Sequence, residues 1–391
     1  MSSSVDNSIG AGDCPAGPRS KSAPKIVAFG GGTGMAALLL GLKAYTDQIT
    51  AVVTVTDNGG SSGRLRNEFD MVAPGDIRNC LLALAEVDPL ITRALQYRFD
   101  ESEFKGHCFG NLFITVLTRL VGDFGVSIRE LNRILNVRGR VVPASSAKVS
   151  LVAQHPDGSK STGEVQIARS GKKIQSVEIR PYPVAMSSEI RKAIEEADLF
   201  IFGPGSLYTS VIPNLLIDGL MESINATGRQ RVYICNIMTQ PGETDGYSLY
   251  DHLEALRVHV GDGFPDAVIA HDGLVPPEII EHYKDAGAEA VPCDLNGQAE
   301  FQSVRLITGE FFDQEVALGQ GDWGRDDNQA SEHDECLARH DPDAIARVIF
   351  EEFLKKPAVA AAETVVAETG AAETGSPGSG EAPGNAEAIG Q

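Results

Sequence analysis

Five short runs along the chain are apolar at nearly every position: Lys25–Phe29, Thr50–Thr56, Asp198–Phe202, Arg231–Asn236 and Ala267–Ala270. Such unbroken apolarity predicts strands covered on both faces rather than strands with one wetted side. Between and after them, apolar residues recur at helical spacing in Met35–Ala44, Ile77–Ala85, Leu112–Leu120, Glu189–Glu196, Tyr250–Val258 and Ala344–Leu354. The alternation predicts an α/β architecture, a doubly wound and mainly parallel sheet. One region breaks the rhythm. Between Val141 and Pro183 the pattern shortens to Ala147–Gln154, the turn His155-Pro156-Asp157-Gly158, Glu164–Ala168, Ser170-Gly171 and Lys173–Arg180. Short strands joined by turn residues predict a small antiparallel excursion over 141–183.

The ends do not share this patterning. Residues 1–24 are rich in Ser, Gly and Asp without an apolar run, and 357–391 holds five Glu, no basic residue and no aromatic. Neither can bury enough apolar area to offset chain entropy, so both are expected to be disordered around a single domain at 25–356. An acidic stretch at 319–336 reads as a loop insertion in that domain. The 391 residues carry 33 Lys+Arg against 54 Asp+Glu, a formal charge of −21. That balance argues against nucleic acid or an anionic membrane as partner. No secretory h-region and no bilayer-length apolar stretch is present, so a cytoplasmic protein without membrane insertion is expected. The six Cys are scattered with no Cys-x-x-Cys pair, which suits reduced thiols.

Chemistry gathers at the glycine-rich strand ends. Gly30-Gly31-Gly32-Thr33-Gly34 follows the first strand and opens an apolar helix, where amides can approach a phosphate closely. It is not the dinucleotide fingerprint, because the place of the third glycine is Met35. On its own this loop is equally a tight turn. The second strand ends in Asp57-Asn58-Gly59-Gly60-Ser61-Ser62-Gly63-Arg64-Leu65-Arg66. It presents an acid about 20 residues past the first loop, as nucleotide-binding units do, with a set of donors suited to an anion. Asp76 in Pro74-Gly75-Asp76-Ile77-Arg78-Asn79 reads as a helix cap, while Arg78 and Asn79 point to more than capping. Gly106-His107-Cys108-Phe109-Gly110-Asn111 sets an imidazole beside a carboxamide. Gly203-Pro204-Gly205-Ser206 offers amides and hydroxyls for a second phosphate or a sugar.

Other constellations are plainer. His252 and His259 read as structural, and Glu243 with Asp245 serves equally as a carboxylate pair or as helix N-terminal acids. A Walker lysine is lacking, against a P-loop NTPase.

Together these stretches, with Cys235-Asn236-Ile237-Met238-Thr239-Gln240-Pro241-Gly242-Glu243-Thr244-Asp245, resemble the gluconeogenesis factor family, the bacterial branch of the 2-phospho-L-lactate transferase superfamily. The resemblance runs over most of Lys25 to Leu318 and resumes near Leu337. It implies a Rossmann-like fold and a protein that binds UDP-sugars, chiefly UDP-N-acetylglucosamine, and supports cell shape and envelope synthesis on gluconeogenic carbon. The site residues it implies are Gly31, Gly32, Thr33, Gly34, Asp57, Asn58, Gly59, Gly60, Ser61, Ser62, Gly63, Arg64, Asp76, Asn79, His107, Asn111, Gly203, Gly205, Ser206 and Asn236. It adds Tyr283, able to stack on uracil, and Arg339, able to pair with a diphosphate. The expected partners are the nucleotide-sugar and envelope-synthesis proteins, with a homo-oligomer left open. The alternative is a metal-dependent phospholactyl-type transferase, in which Asp57, Asp76 or Asp245 holds a divalent cation.

Overall fold

The computed structural model describes residues 23–285, 287–295, 301–313 and 339–354. Most of 1–24, the acidic stretch 319–336 and the tail from 357 lie outside the described residues. The apolar runs form the strands their pattern predicts: β1 (Ile26–Gly30), β2 (Ile49–Val53) and, later in the chain, β7 (Leu199–Phe202), β8 (Gln230–Ile234) and β9 (Ala267–His271). With β3 (Arg140–Pro143) and β10 (Arg305–Gly309) they make a seven-stranded parallel sheet in the order β10-β9-β8-β7-β1-β2-β3. β1 is central, pairing Ile26 with Ile49 on one side and with Leu199 on the other. Every residue of β1, β2, β7 and β9 is buried, and the rings of Phe29 and Phe202 stack at 5.0 Å across neighbouring strands.

Helices α1 (Gly32–Leu42), α2 (Gly60–Glu68), α3 (Gly75–Leu84), α4 (Pro89–Gln96), α5 (Phe109–Val121) and α6 (Phe124–Ile134) lie between β1 and β3. The helix starts fall into two kinds. Asp88 and Asp123 cap α4 and α6 by accepting backbone amides, Ser187 and Asp341 do so for helices Ser188–Glu196 and Pro342–Ile349, and Ser248 forms a full capping box for Leu249–Val260. α1, α2, α3 and α5 begin on Gly31, Gly59, Pro74 and Cys108 with no side-chain cap. Pro74 therefore takes the cap position that the sequence suggested for Asp76, which instead lies in the first turn of α3.

The antiparallel excursion is smaller than 141–183. It consists of β4 (Ser150–Gln154), β5 (Lys160–Thr162) and β6 (Ser176–Arg180), in the order β5-β4-β6. Val141–Pro143 belongs to the parallel sheet through β3, paired with β2. Glu164–Ala168, which reads as a strand, is helical, forming α7 (Glu164–Ser170). Its bounding glycines explain the difference, since Gly163 and Gly171 take φ of +87° and +58° and break the extended path on both sides. Arg66 ties this excursion to the sheet. Its buried guanidinium donates to the carbonyls of Val55 and Val149 and to Ser150 Oγ, so it is not free to meet an anion as the sequence reading supposed.

Candidate functional site

From β1 the chain winds outward through β2 to β3, then returns to the other flank of β1 with β7 and continues to β10. The winding reverses between β1 and β7, and doubly wound sheets collect ligands outside the carboxyl ends of strands at such a reversal. The loops there touch. A Cβ on Gly34 would stand 3.1 Å from the Pro204 carbonyl oxygen, and one on Gly205 would stand 3.1 Å from the Gly31 carbonyl oxygen. Asn236 fixes Gly205 from both sides, its Oδ1 accepting from the amide at 3.1 Å and its Nδ2 donating to the carbonyl at 2.9 Å. Gln240 Nε2 donates to Ser206 Oγ at 2.8 Å. Gly32, at φ +69°, has no protein atom within 4 Å of where a Cβ would be, and Thr33 beside it is exposed.

The four uncapped helix starts meet beside this crevice. Gly31 is wedged against α3: a Cβ there would lie 2.5 Å from Asp76 Oδ2 and 2.6 Å from the Thr54 methyl. Gly75 presses on Ser62 Oγ at the start of α2. Ser61 Oγ accepts the Cys108 amide at 3.3 Å and lies 3.2 Å from His107 Nδ1, which joins α2 to the start of α5. Arg78 Nη1 donates to Asn111 Oδ1 at 3.0 Å and its Nη2 to Asn79 Oδ1 at 2.8 Å, bridging α3 and α5. Several sequence-chosen residues thus spend their groups on one another. Asn58 Oδ1 accepts the Val165 amide of α7 at 3.1 Å, and Gly63 packs on the Asn58 carbonyl. Exposed Arg64 donates to the Lys105 carbonyl at 2.9 Å. Gly59 donates its amide to Asp57 Oδ1 at 2.7 Å, while Gly60, at φ +44°, is open to solvent.

Carboxylates crowd the same place. Loss of hydration, followed by the charge of Asp57, pushes Asp76 up to about 7, although the Gly32 amide donates to it. Burial pushes Glu243 up to about 7, opposed by Thr209 Oγ1, which donates to its two oxygens at 3.3 and 3.4 Å. Glu164 rises to about 9 through desolvation and then the charges of Asp57, Asp76 and Glu243. Glu164 therefore keeps its proton at neutral pH, while Asp76 and Glu243 are poised to exchange theirs. Sequence reasoning missed Glu164 because it placed that residue on a strand and nothing local links it to Asp57. The glycine before it was the signal for a helix start. His107 is buried, and desolvation and then the Arg64 cation hold its imidazole below the usual value.

Tyr283 and Arg339 come to the far corner of the crevice. Tyr283 packs with Ile237, Met238, Val275, Ile279 and Phe312. Arg339 accepts the Asp313 amide on its carbonyl at 2.9 Å, and its neighbour His340 bonds the Cys235 carbonyl through Nε2 at 3.0 Å, one residue before Asn236. His252 and His259 are structural, as read: the first bonds the Ser248 carbonyl, and the second accepts the Val177 amide at 2.9 Å. Among the described residues no three His, Cys, Asp or Glu side chains gather in metal-binding geometry.

The chain is similar to several known proteins. The family described as 2-phospho-L-lactate transferase CofD matches residues 26–312. A gluconeogenesis factor of Halalkalibacterium halodurans is 47% identical over 270 residues, covering 69% of this chain and 84% of that protein. One from Bacillus subtilis is 46% identical over 273 residues, 70% of this chain and 86% of the relative. A crystal structure of a UPF0052 family member from Bacillus halodurans superposes with a TM-score of 0.77 at 40% identity, covering 85% of this chain and all of that one. With the reversal point, the glycine loops and the Asn236 latch in place, and the likeness spanning most of the sheet, the chain belongs to the 2-phospho-L-lactate transferase family, in its gluconeogenesis factor branch.

Proposed function

We propose that the chain binds a nucleotide-sugar, UDP-N-acetylglucosamine in the first place, with the diphosphate in the crevice between the β1 and β7 loops, and holds it without consuming it. The observation that carries this reading is the meeting of four helix starts whose N-cap residues lend no side chain to the helix, beside the point where the sheet reverses. Converging helix N-termini favour an anion. Tyr283 and Arg339, at the corner beyond Asn236, are the groups for the uracil and the outer phosphate. In the cell the protein acts as a cytoplasmic regulator, reporting the nucleotide-sugar to envelope-synthesis proteins that maintain shape on gluconeogenic carbon. The names of the relatives support that setting.

Titration calorimetry of the purified chain against UDP-sugars, NAD and guanine nucleotides tests the ligand, with a saturable isotherm expected for UDP-N-acetylglucosamine. Chromatography of the same mixtures after hours with Mg²⁺ or Mn²⁺ tests turnover, with no UMP, UDP or free sugar expected. Products that grow with protein concentration and vanish in His107→Ala would install the second reading, a transferase. One feature favours it: Asp76 and Glu243 both titrate near neutrality beside the crevice, where a group can give or take a proton.

A further inference from the structure

The sheet has a second opening, at the end away from the crevice. A cleft of about 1020 Å³ lies across the amino ends of β1, β2 and β3, where Ile26, Ile49 and Arg140 begin their strands, with α6 and helix Ser188–Glu196 as its sides. β1 is five residues long, so roughly 15 Å of strand separate this floor from the glycine loop at its other end. Cations outnumber acids here. Lys25, Arg133, Arg138, Arg140 and Lys192 line the cleft against Asp47, Glu86 and Glu196, five against three, which leaves two positive charges over in a chain whose total is −21. The acids are thinly shared. Glu196 takes Lys25 Nζ at 3.0 Å and has Lys192 at 3.9 Å, and the Lys25 bond and charge, followed by the charges of Lys192 and Arg140, hold its carboxyl below the usual value. Glu86 has Arg138 Nη1 at 3.6 Å and accepts from Asn136 Nδ2 at 3.4 Å. Arg140 is aimed but not paired: its Nε donates to Thr50 Oγ1 at 2.8 Å, the residue opposite it on β2, and among the described residues no carboxylate forms an ion pair with its guanidinium. Gly139 builds this arrangement. At φ +99°, with a Cβ that would stand 2.5 Å from the Ile49 carbonyl oxygen, it presses the chain onto β2 and sets one arginine on either side of the contact.

We infer that this cleft is a second ligand site and takes a phosphorylated sugar, its phosphate between Arg138 and Arg140 with Lys192 at the rim, and its hydroxyls on Gln48 and Asn136. Charge sets the head group. A phosphate monoester carries about −1.5 to −2 at neutral pH, which matches the surplus, and guanidinium forks fit its oxygens. A surplus of two is too small for a polyanion such as nucleic acid, which is met with many cations. Volume sets the body, since sites for small molecules run to about 300–1000 Å³ and a bare anion fills little of that. The lining sets its polarity: neutral amides stand between the charges, and no aromatic residue lines the cleft, so a nucleotide base would find no ring to stack on. The inference does not rest on the crevice ligand.

Titration calorimetry of the full chain in phosphate-free buffer tests it, with glucose 6-phosphate, mannose 6-phosphate and ribose 5-phosphate as probes. At least one should give a saturable isotherm, with inorganic phosphate at least about tenfold weaker, glucose silent, and affinity falling as salt rises. Arg140→Gln should weaken the sugar phosphate by about tenfold or more, the loss of a charge-assisted bond. Lys192→Gln, on the exposed face of its helix and without cost to folding, should weaken it by about threefold. Excess UDP-N-acetylglucosamine should leave the isotherm in place. Displacement would move the anion to the crevice and overturn the inference, and the two variants decide the matter even if the nucleotide-sugar itself fails to bind. No saturation by about 10 mM in any probe overturns it. So does binding that both variants leave untouched, or equal affinity for inorganic phosphate, an adventitious ion only.

Discussion

Four helix starts beside the crevice differ from five others in the molecule. Away from the crevice, Asp88, Asp123, Ser187, Ser248 and Asp341 each satisfy backbone amides that the helix itself cannot. Beside it, α1, α2, α3 and α5 start on Gly31, Gly59, Pro74 and Cys108 and forgo that gain, a few tenths of a kcal/mol at the glycines and about 1 kcal/mol at the other two. The same corner crowds Asp57, Asp76, Glu164 and Glu243 until three of them hold protons well above the usual carboxylate range. Stability has been given up in this corner by burying acids. The contrast marks the corner to which the proposed ligand is assigned.

The largest effect should come from closing the open side. Gly31→Val drives a side chain into Asp76 and Thr54, and is expected to cost about 2–3 kcal/mol of stability and at least about 100-fold in nucleotide-sugar affinity, read by melting and calorimetry. Normal binding in a folded variant would remove the β1 loop from the site. Next is the acid cluster. Asp76, Glu164 and Glu243 are protonated in the folded chain at pH values where the unfolded chain has released those protons, so stability should fall as pH rises from about 4.5 through 9. Glu164→Gln should flatten that decline and stabilise the chain by about 1–3 kcal/mol at pH 8.5, a figure reduced because the carboxyl keeps some water. An unchanged pH profile would show the carboxylates to be solvated. The smallest effects form a reciprocal pair. Asp123→Ala should cost about 1 kcal/mol and leave the binding isotherm alone, whereas Gly59→Ser, whose backbone at φ −91° already suits a cap, should add a few tenths of a kcal/mol while weakening binding. If Asp123→Ala disturbs binding as much as Gly59→Ser does, the two kinds of helix start are not functionally distinct.

Much of the frame was legible because its signals are local. Unbroken apolar runs announced the buried strands, and glycines after β1, β2 and β7 announced loops that the sheet does bring into one area. What failed depended on distance in the chain. Asp76 looked like a cap because capping is judged within one turn, yet its real neighbour is Gly31 on another helix. Arg66 looked like a ligand donor until the excursion folded back and took its guanidinium with Val149 and Ser150. Glu164 lies more than a hundred residues from Asp57, and only the turn made by Gly163 and the latch from Asn58 bring the acids together.

The pairing of β1 with β7 also has a meaning for synthesis. Ile26 waits for Leu199, 173 residues further on, a separation repeated in the bond from the Lys25 amide to Asp198. At about 5–20 residues per second, the β1 edge spends on the order of 10–35 s on the ribosome before its second neighbour emerges. Throughout that interval the half-built sheet presents a bare edge of Ile, Val, Ala and Phe, the kind of surface on which nascent chains stick to one another. Production of this protein should therefore respond to chaperone supply and to the rate of translation more than its finished stability would suggest.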